Sequence, residues 1–561
     1  MAYLQQANSL LEYLQQLSLP IDVLEKIPRS WLQKYALRAS IEVPSQLADH
    51  PEHTRYALLA SFCFMRLQAL TDQMTIISLK MVKKLETSAE GHVTRKITAE
   101  IKHVGGKYDI LHKMAKASLR QPDGIIKNVI YPEVSEEILN NLATELDCRG
   151  GWFRHHVHLK MYALYSHARR RALFTALSLL KIDTHHSKFF DLTEALRFIR
   201  DHYDQSDPAW TPEKLPFLNS LPEYWRERIL KKDSKGRESV CRKSFEMAVF
   251  EALYSPLRSK AVWVHDSWRY RHPHKDLPAD FSNRRNHYFD LLGLPKDKKK
   301  FISTLKEKMT KLLAELNDAI PGNSKIKILD KNNGHIKLSP FSAQEEVVFL
   351  PALHQEIQRR WASVSLLDIL KETDHRTGLC DLFHTVGHHE NMEPEELRRR
   401  LLLALYAIGS NTGFKRMCTA NMEVTENDLH YIRRRHIHAD NLRAAIRQVI
   451  NSILAERNKE MWPEVTGCAC DSTLLTSWEQ NMLAEWHGRY RKRGVMIYWH
   501  VDQKSTCIYS QLKTCTSSEV AAMIKGVLHH LTDMDMKEGY VDTHGKSIVG
   551  FAICYLLSVE F

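Results

Sequence analysis

What this 561-residue sequence lacks narrows the field first. Its longest apolar stretches, such as Leu401 to Ile408, fall far short of the ~20 residues that span a bilayer. Met1 to Ser9 has neither a basic start nor an apolar signal core, so no export and no membrane anchor are expected. The ten cysteines are scattered and include no C-x-x-C pair. Cys468 and Cys470 make a C-x-C, which without a second pair of ligands reads as reduced thiols rather than as a zinc site. A Walker-type phosphate loop is absent, so an NTPase has no support. Internal repeats and extended low-complexity tracts are absent too.

What is present points to several soluble domains. The length exceeds one core of ~100–200 residues, and a hydrophobic content of 43% is ordinary. The net charge of +12, from 79 Lys and Arg against 67 Asp and Glu, permits nucleic-acid binding without establishing it. The front half reads as successive helices. Leu10, Leu11, Leu14 and Leu17 recur at helical spacing before Pro20, and residues 56–84 continue the pattern. Residues 149–182 read as one long helix. It carries His155, His156 and His158, which suit packing better than metal binding. It also carries Arg169 to Arg171, which suit either phosphate contact or a solvated face. Ala261 to Arg271 interleaves basic and aromatic residues, as a nucleic-acid contact or an aromatic packing patch would. Asn333-Gly334 between alternating runs predicts a hairpin. Helices resume over 343–460, and Gly387-His388-His389-Glu390 reads as a loop.

From Thr466 the texture changes. Gly467 to Asp471 reads as a strand ending on an acid, followed by an insertion over 473–491. Val495 to Val501 and Thr506 to Leu512 read as a hairpin around a turn at 502–505. Thr516 to Glu519 reads as a capping box opening an amphipathic helix. Glu538 to Asp542 is a fourth strand ending on an acid, and Ile548 to Val559 a buried helix. This order opens a ribonuclease H-like fold, in which the first and fourth strands are neighbours. Asp471 and Asp542 would then meet at one edge. Adjacent carboxylates repel unless a cation such as Mg²⁺ neutralises them. A metal pair ~4 Å apart could then serve phosphoryl transfer. Plain capping or loop acids are the alternative.

Several strings carry a more specific signal. Glu485-Trp-His487, Arg493 to Val501, Cys507 to Lys513, Ser518 to Met523 and Tyr540-Val-Asp-Thr-His-Gly545 resemble the DDE domain of Tn-three family transposases, the replicative class II transposons. Tyr406 to Arg416 and Tyr431 to Arg443 are similar to the family as well, and Val262 to Arg271 more loosely so. The resemblance implies a mainly α, multi-domain protein with a C-terminal α/β ribonuclease H-like domain, here strands 1–4 and two helices. It implies binding of double-stranded DNA (terminal inverted repeats and target) by a homodimer associated with the bacterial nucleoid. The implied chemistry is 3′-end cleavage and strand transfer with Mg²⁺ or Mn²⁺ held by Asp471 and Asp542. His544 and Gly545 flank the second acid. Arg269, Arg271, Lys415, Arg416, Arg433, Arg434 and Arg435 are the basic residues expected to meet DNA. The implied division is a helical DNA-binding region over 1–120 and a helical DNA-binding and dimerisation region over 121–320. A hairpin linker over 321–345, a helical scaffold over 346–461 and the catalytic domain over 462–561 follow.

The sequence departs from the family pattern in three places. The family's third acid, a glutamate, lies well past the second; after Asp542 the only acid here is Glu560. Arg491-Lys492 stands where a glycine pair is expected, and Thr473-Leu-Leu475 differs from the usual wording. The opening residues resemble sequence from inside the family protein. The expectation is a form truncated at both ends and inactive in chemistry, or a non-catalytic DNA-binding and dimerising remnant able to interfere with a full-length transposase. An unrelated nuclease on the same core is a third possibility that the family wording disfavours.

Overall fold

A computed structural model describes residues 2–557 apart from 101–105, 148–150, 204–209, 233–237, 330–334, 340–347, 362–363, 388–389, 421–422, 459, 461–466, 478–480, 482–483, 516 and 542–546. Asn333, Gly334, His388, His389, Thr516, Asp542, His544, Gly545 and Glu560 therefore lie outside the described residues. The chain is mainly helical, with a mixed sheet near its C-terminal end, and forms two compact units, 1–277 and 278–561.

In the first unit the helices include α1 (Ala2–Gln16), α2 (Arg29–Ile41), α3 (Glu52–Glu100), α4 (Gly151–Leu164), α5 (His167–Leu177), α6 (Phe190–Asp201) and α7 (Arg242–Arg258). Strands β1 (Ile182–Asp183) and β2 (Trp263–Val264) pair antiparallel. The long α3 is the spine. Its Leu67, Leu70, Met74 and Ile77 pack with Leu11 and Leu14 of α1, Met161 of α4, Leu173 of α5, Leu192 of α6 and Phe245 of α7. The single helix expected over 149–182 is instead two, because Ser166 is extended (ψ 164°) and redirects the chain between α4 and α5. Of the histidines of α4, His158 is packed: it lies against Trp225 at 4.3 Å, and burial pulls its pKa down to about 4. Residues 261–271 form β2 and a turn clasped by Asp72 of α3. Its Oδ1 accepts from Ser267 Oγ (2.5 Å), Trp268 N (3.1 Å) and Arg269 N (3.0 Å).

Beside that core, burial pushes the Glu251 carboxyl up to about 7, and repulsion from Glu86 adds to the rise. The ordinary glutamate value is 4.5, so between about pH 4.5 and 7 the folded protein holds a proton that the unfolded chain has released. Stability from this residue is therefore gained as pH falls through 7 and lost as it rises. We expect the melting transition of the first unit to weaken by on the order of 2 kcal/mol between pH 5 and pH 8. The slope should flatten in Glu251→Gln. A difference between the two proteins that is constant over that range would contradict this.

The second unit holds α8 (Lys298–Ala319) and a hairpin of β3 (Ile326–Leu329) with β4 (His335–Leu338). A helical layer follows: α9 (Leu366–Thr377), α10 (Pro394–Gly409), α11 (Phe414–Ala420), α12 (Glu426–Arg435) and α13 (Ala439–Glu456). Leu401, Ala404, Phe414, Leu429, Ile432 and Ala445 share one core there. Glu390, read as part of a loop, is a structural acid. It meets the buried His436 Nε2 at 2.9 Å and accepts from the Tyr431 hydroxyl at 3.1 Å.

The sheet consists of β5 (Gly467–Thr476), β6 (Glu485–His487), β7 (Lys492–Asp502), β8 (Cys507–Lys513) and β9 (Glu538–Val541), with helices α14 (Glu519–His529) and α15 (Ile548–Leu556). The order is β8-β7-β5-β9, and β6 pairs with the start of β7. All pairs are antiparallel except β5 with β9, which is parallel. Two expectations change. First, β5 runs on past Asp471 to Thr476, because pairing with β7 continues to Gly494, so Asp471 is mid-strand and the expected insertion is partly sheet. Second, α15 is not a buried helix. Gly550 and Cys554 face the core, while Ile548, Val549 and Phe551 are exposed.

Candidate active site

Strand alternation decides what β5 presents. Cys468 and Cys470 point into the core beneath α14, and Ala469, Asp471 and Thr473 occupy the opposite, open face. The two thiols lie 4.0 Å apart, and the Cys468 neighbour and burial push the Cys470 thiol up. Asp471 pairs in register with Trp499 and is exposed. Its Oδ1 accepts from Ser472 N at 2.6 Å, and among the described residues no cation pairs with it. On the other side of β5, Val541 of β9 is the partner of Cys470 and Tyr540 that of Ala469. Asp542 follows Val541 in sequence and lies outside the described residues.

The scaffold beneath is tightly fixed. Gly526 lets α14 settle directly on β7, since a Cβ there would lie 1.9 Å from the buried His500 ring. His500 Nε2 meets Met523 O at 3.1 Å, and Gln511 Nε2 donates to Ala522 O at 2.5 Å. Gly526→Ala should therefore cost ~1–3 kcal/mol in a urea titration of the second unit. An unchanged midpoint would show that the ring has room to move.

Two polar ties escaped the sequence reading. Glu519 makes two described ties. It accepts from Ser472 Oγ at 2.5 Å and meets Lys513 Nζ at 3.6 Å, pinning α14 beside Asp471. The other half of the expected box, Thr516, lies outside the described residues. Asp502, read only as the start of a turn, is buried. It accepts from Lys504 N and Thr506 N and pairs with Arg457 at 2.6 Å. An acid opening a turn was a local signal for the first bonds; nothing local marked Arg457.

The basic candidates fall into two sets. Lys415, Arg416, Arg433 and Arg434 are exposed on the packed helices α11 and α12. Arg269 is exposed beside the Asp72 turn. Arg271 is engaged: it pairs with Asp276 and lies 3.6 Å over the Trp268 ring, which Arg29 covers at the same distance. Arg435 sits 5.1 Å over Tyr431. The structure does not bring Arg433 to Arg435 together as one face.

Among the described residues no group of three His, Cys, Asp or Glu is placed to hold a metal. Asp471 nevertheless suits a hard cation as one ligand: an exposed carboxylate, uncommitted to any described base, on a rigid central strand.

Residues 368–561 match the family model described as the Tn3 transposase DDE domain. The transposase for transposon Tn2501 of Escherichia coli is 25% identical over 97% of this chain and 54% of its own length. The transposase for transposon Tn1546 of Enterococcus faecium is 21% identical over 98% of this chain and 55% of its own. The transposase for transposon Tn21 of Escherichia coli is 20% identical over the same shares. The chain thus spans about half the length of the curated relatives it matches. Residues 368–561 thus resemble the Tn3 transposase DDE domain, and the likeness to transposases of this kind runs along nearly the whole chain.

Proposed function

We propose that this protein is a DNA transposase that binds the terminal inverted repeats of a transposon as a homodimer, cuts the 3′ ends and joins them to target DNA. The sheet is read as the core of a ribonuclease H-like domain. One observation carries this: Val541 and Cys470 are parallel partners, and in sequence the residues that follow them are Asp542 and Asp471. Three antiparallel strands, a helix and a returning strand parallel to the first support the same assignment. Within this reading, 1–320 serves DNA binding and dimerisation, and 346–461 is the scaffold.

Asp471 and Asp542 would together hold Mg²⁺, with Mn²⁺ as a substitute. A bound divalent ion there would activate the attacking oxygen and stabilise the leaving one. The chain's own part is to present two carboxylates from adjacent strands. Ser472, Glu519 and Lys513 keep the backbone of β5 fixed while DNA is gripped elsewhere. Lys415, Arg416, Arg433, Arg434 and Arg269 would meet phosphates. They are spread over several elements, so affinity for duplex DNA should fall steeply with salt as counterions are released.

The test combines binding and cutting. Purified protein is titrated with a labelled inverted-repeat end at two salt concentrations, then given Mg²⁺ or Mn²⁺ and a target plasmid. Salt-sensitive binding and metal-dependent 3′ nicking are expected. Salt-sensitive binding with no nicking under either metal would favour a DNA-binding protein without chemistry. Salt-independent binding would remove the phosphate-contact reading.

A further inference from the structure

Helix α8 has an apolar seam that no described residue buries. Ile302, Leu305, Met309, Leu312, Leu316 and Ala319 recur at spacings of three and four, the a and d positions of a heptad repeat. Not one residue of this 22-residue helix is buried, and Met309, Leu312 and Leu316 are each more than half exposed. Helices in proteins draw most of their stability from packing such a face. Its charges are also reversed. The first turn holds Lys298, Lys299 and Lys300 with no acid, and the last turn holds Asp318 with no base. Apart from the N-cap Asp297, whose Oδ1 accepts from Lys300 N at 2.8 Å, the charges at both ends oppose the helix dipole, which favours acids at the start and bases at the end.

We propose that α8 pairs antiparallel with α8 of a second copy of this chain. Antiparallel pairing repairs both faults at once. Each lysine-rich start lies beside the partner's acidic, dipole-negative end. The seam also matches in that direction: a faces d when Ile302 meets Ala319 of the other copy, Leu305 meets Leu316, and Met309 meets Leu312. In the same register the flanking g positions bring Lys308 opposite Glu315, twice by symmetry. A parallel pair would instead stack one lysine-rich start on the other and set Lys308 beside Leu313. Among the described residues of one chain Lys308 meets the Tyr555 ring and hydroxyl, at 4.4 and 3.4 Å, so the contact it would exchange is weak and exposed. The charge asymmetry selects a second copy over an arbitrary apolar partner: the helix is complementary to its own reverse.

This surface rests on the homodimer in the proposed function, and the measurement separates the two. Sedimentation of residues 1–561 without DNA should show a reversible dimer. Leu312→Asp should abolish it with the circular dichroism unchanged, since Leu312 touches no core. Lys308→Glu and Glu315→Lys should each weaken the dimer about tenfold, and the double reversal should restore it. A dimer that survives Leu312→Asp would place the interface elsewhere and leave the homodimer standing. A wild-type protein that stays monomeric at high concentration would overturn both. Single reversals without effect would overturn the antiparallel register.

Discussion

Replacing Asp471 by asparagine should lower 3′-end cleavage by about a thousandfold or more and leave folding and DNA binding unchanged. Asparagine keeps the shape and the one local bond, from Ser472 N, and removes the charge. A lost metal ligand costs several kcal/mol of barrier, at roughly 1.4 kcal/mol per factor of ten. The residue is exposed and ties down no other described residue, so the melting temperature should stay put. Two measurements keep the claim open to defeat: single-turnover cleavage of an inverted-repeat end, and binding of Mn²⁺ followed by its paramagnetic resonance. The second does not require turnover. A variant that still binds Mn²⁺ like the parent, or that cuts at the parent's rate, would mean that Asp471 is only a strand residue. Asp502→Asn makes the contrasting control. That acid is buried against Arg457, so its loss should appear as instability before any change in chemistry.

Arg170→Ala should destabilise the first unit by about 3–5 kcal/mol. Glu246 of α7 is 1% exposed, and Arg170 grips both of its oxygens at 2.7 Å. Arg242 adds a bond at 3.0 Å and the Tyr165 hydroxyl one at 3.1 Å. Truncating Arg170 leaves a buried carboxylate short of its main partner, in a place where water cannot replace it. The paired change Arg170→Met with Glu246→Leu should recover most of the loss, because no stranded charge remains. Urea unfolding of the three variants decides it. Equal stability of Arg170→Ala and the parent would show that Arg242 alone satisfies the acid.

That arginine also shows where sequence reasoning runs out. Arg169 to Arg171 suited either phosphate contact or solvent, and Arg170 does neither, because its partner lies far along the chain with no local mark. Long-range polar pairs of this kind, Arg457 with Asp502 and Asp72 with the 267–269 turn among them, leave no periodicity to read. The helices and strands were legible because their apolar spacing is local, as on α1, β7 and α14. Their limits were less so: β5 outruns Asp471 because β7 offers partners as far as Gly494. Of the candidate site, Asp471 was singled out by the strand pattern and the family wording. Ser472, Glu519 and Lys513 were not, since three elements must fold before they meet. The exposed face of α15 was misread for a related reason, because an apolar helix announces a need for cover without saying whether it is met.

The parallel pairing of β5 with β9 has a consequence in time. Strands β5, β7 and β8 follow one another closely, so their contacts close short loops and can form early. Strand β9 joins only after the chain has passed through β6, β7, β8 and α14, and longer loops cost more entropy to close. On a ribosome that delivers the N-terminal parts first, the first three strands can assemble while β9 is still unmade. A nascent chain would therefore present Asp471 for some time with no second acid beside it. Under the proposed function, assembly itself delays the ability to cut DNA until β9 has docked.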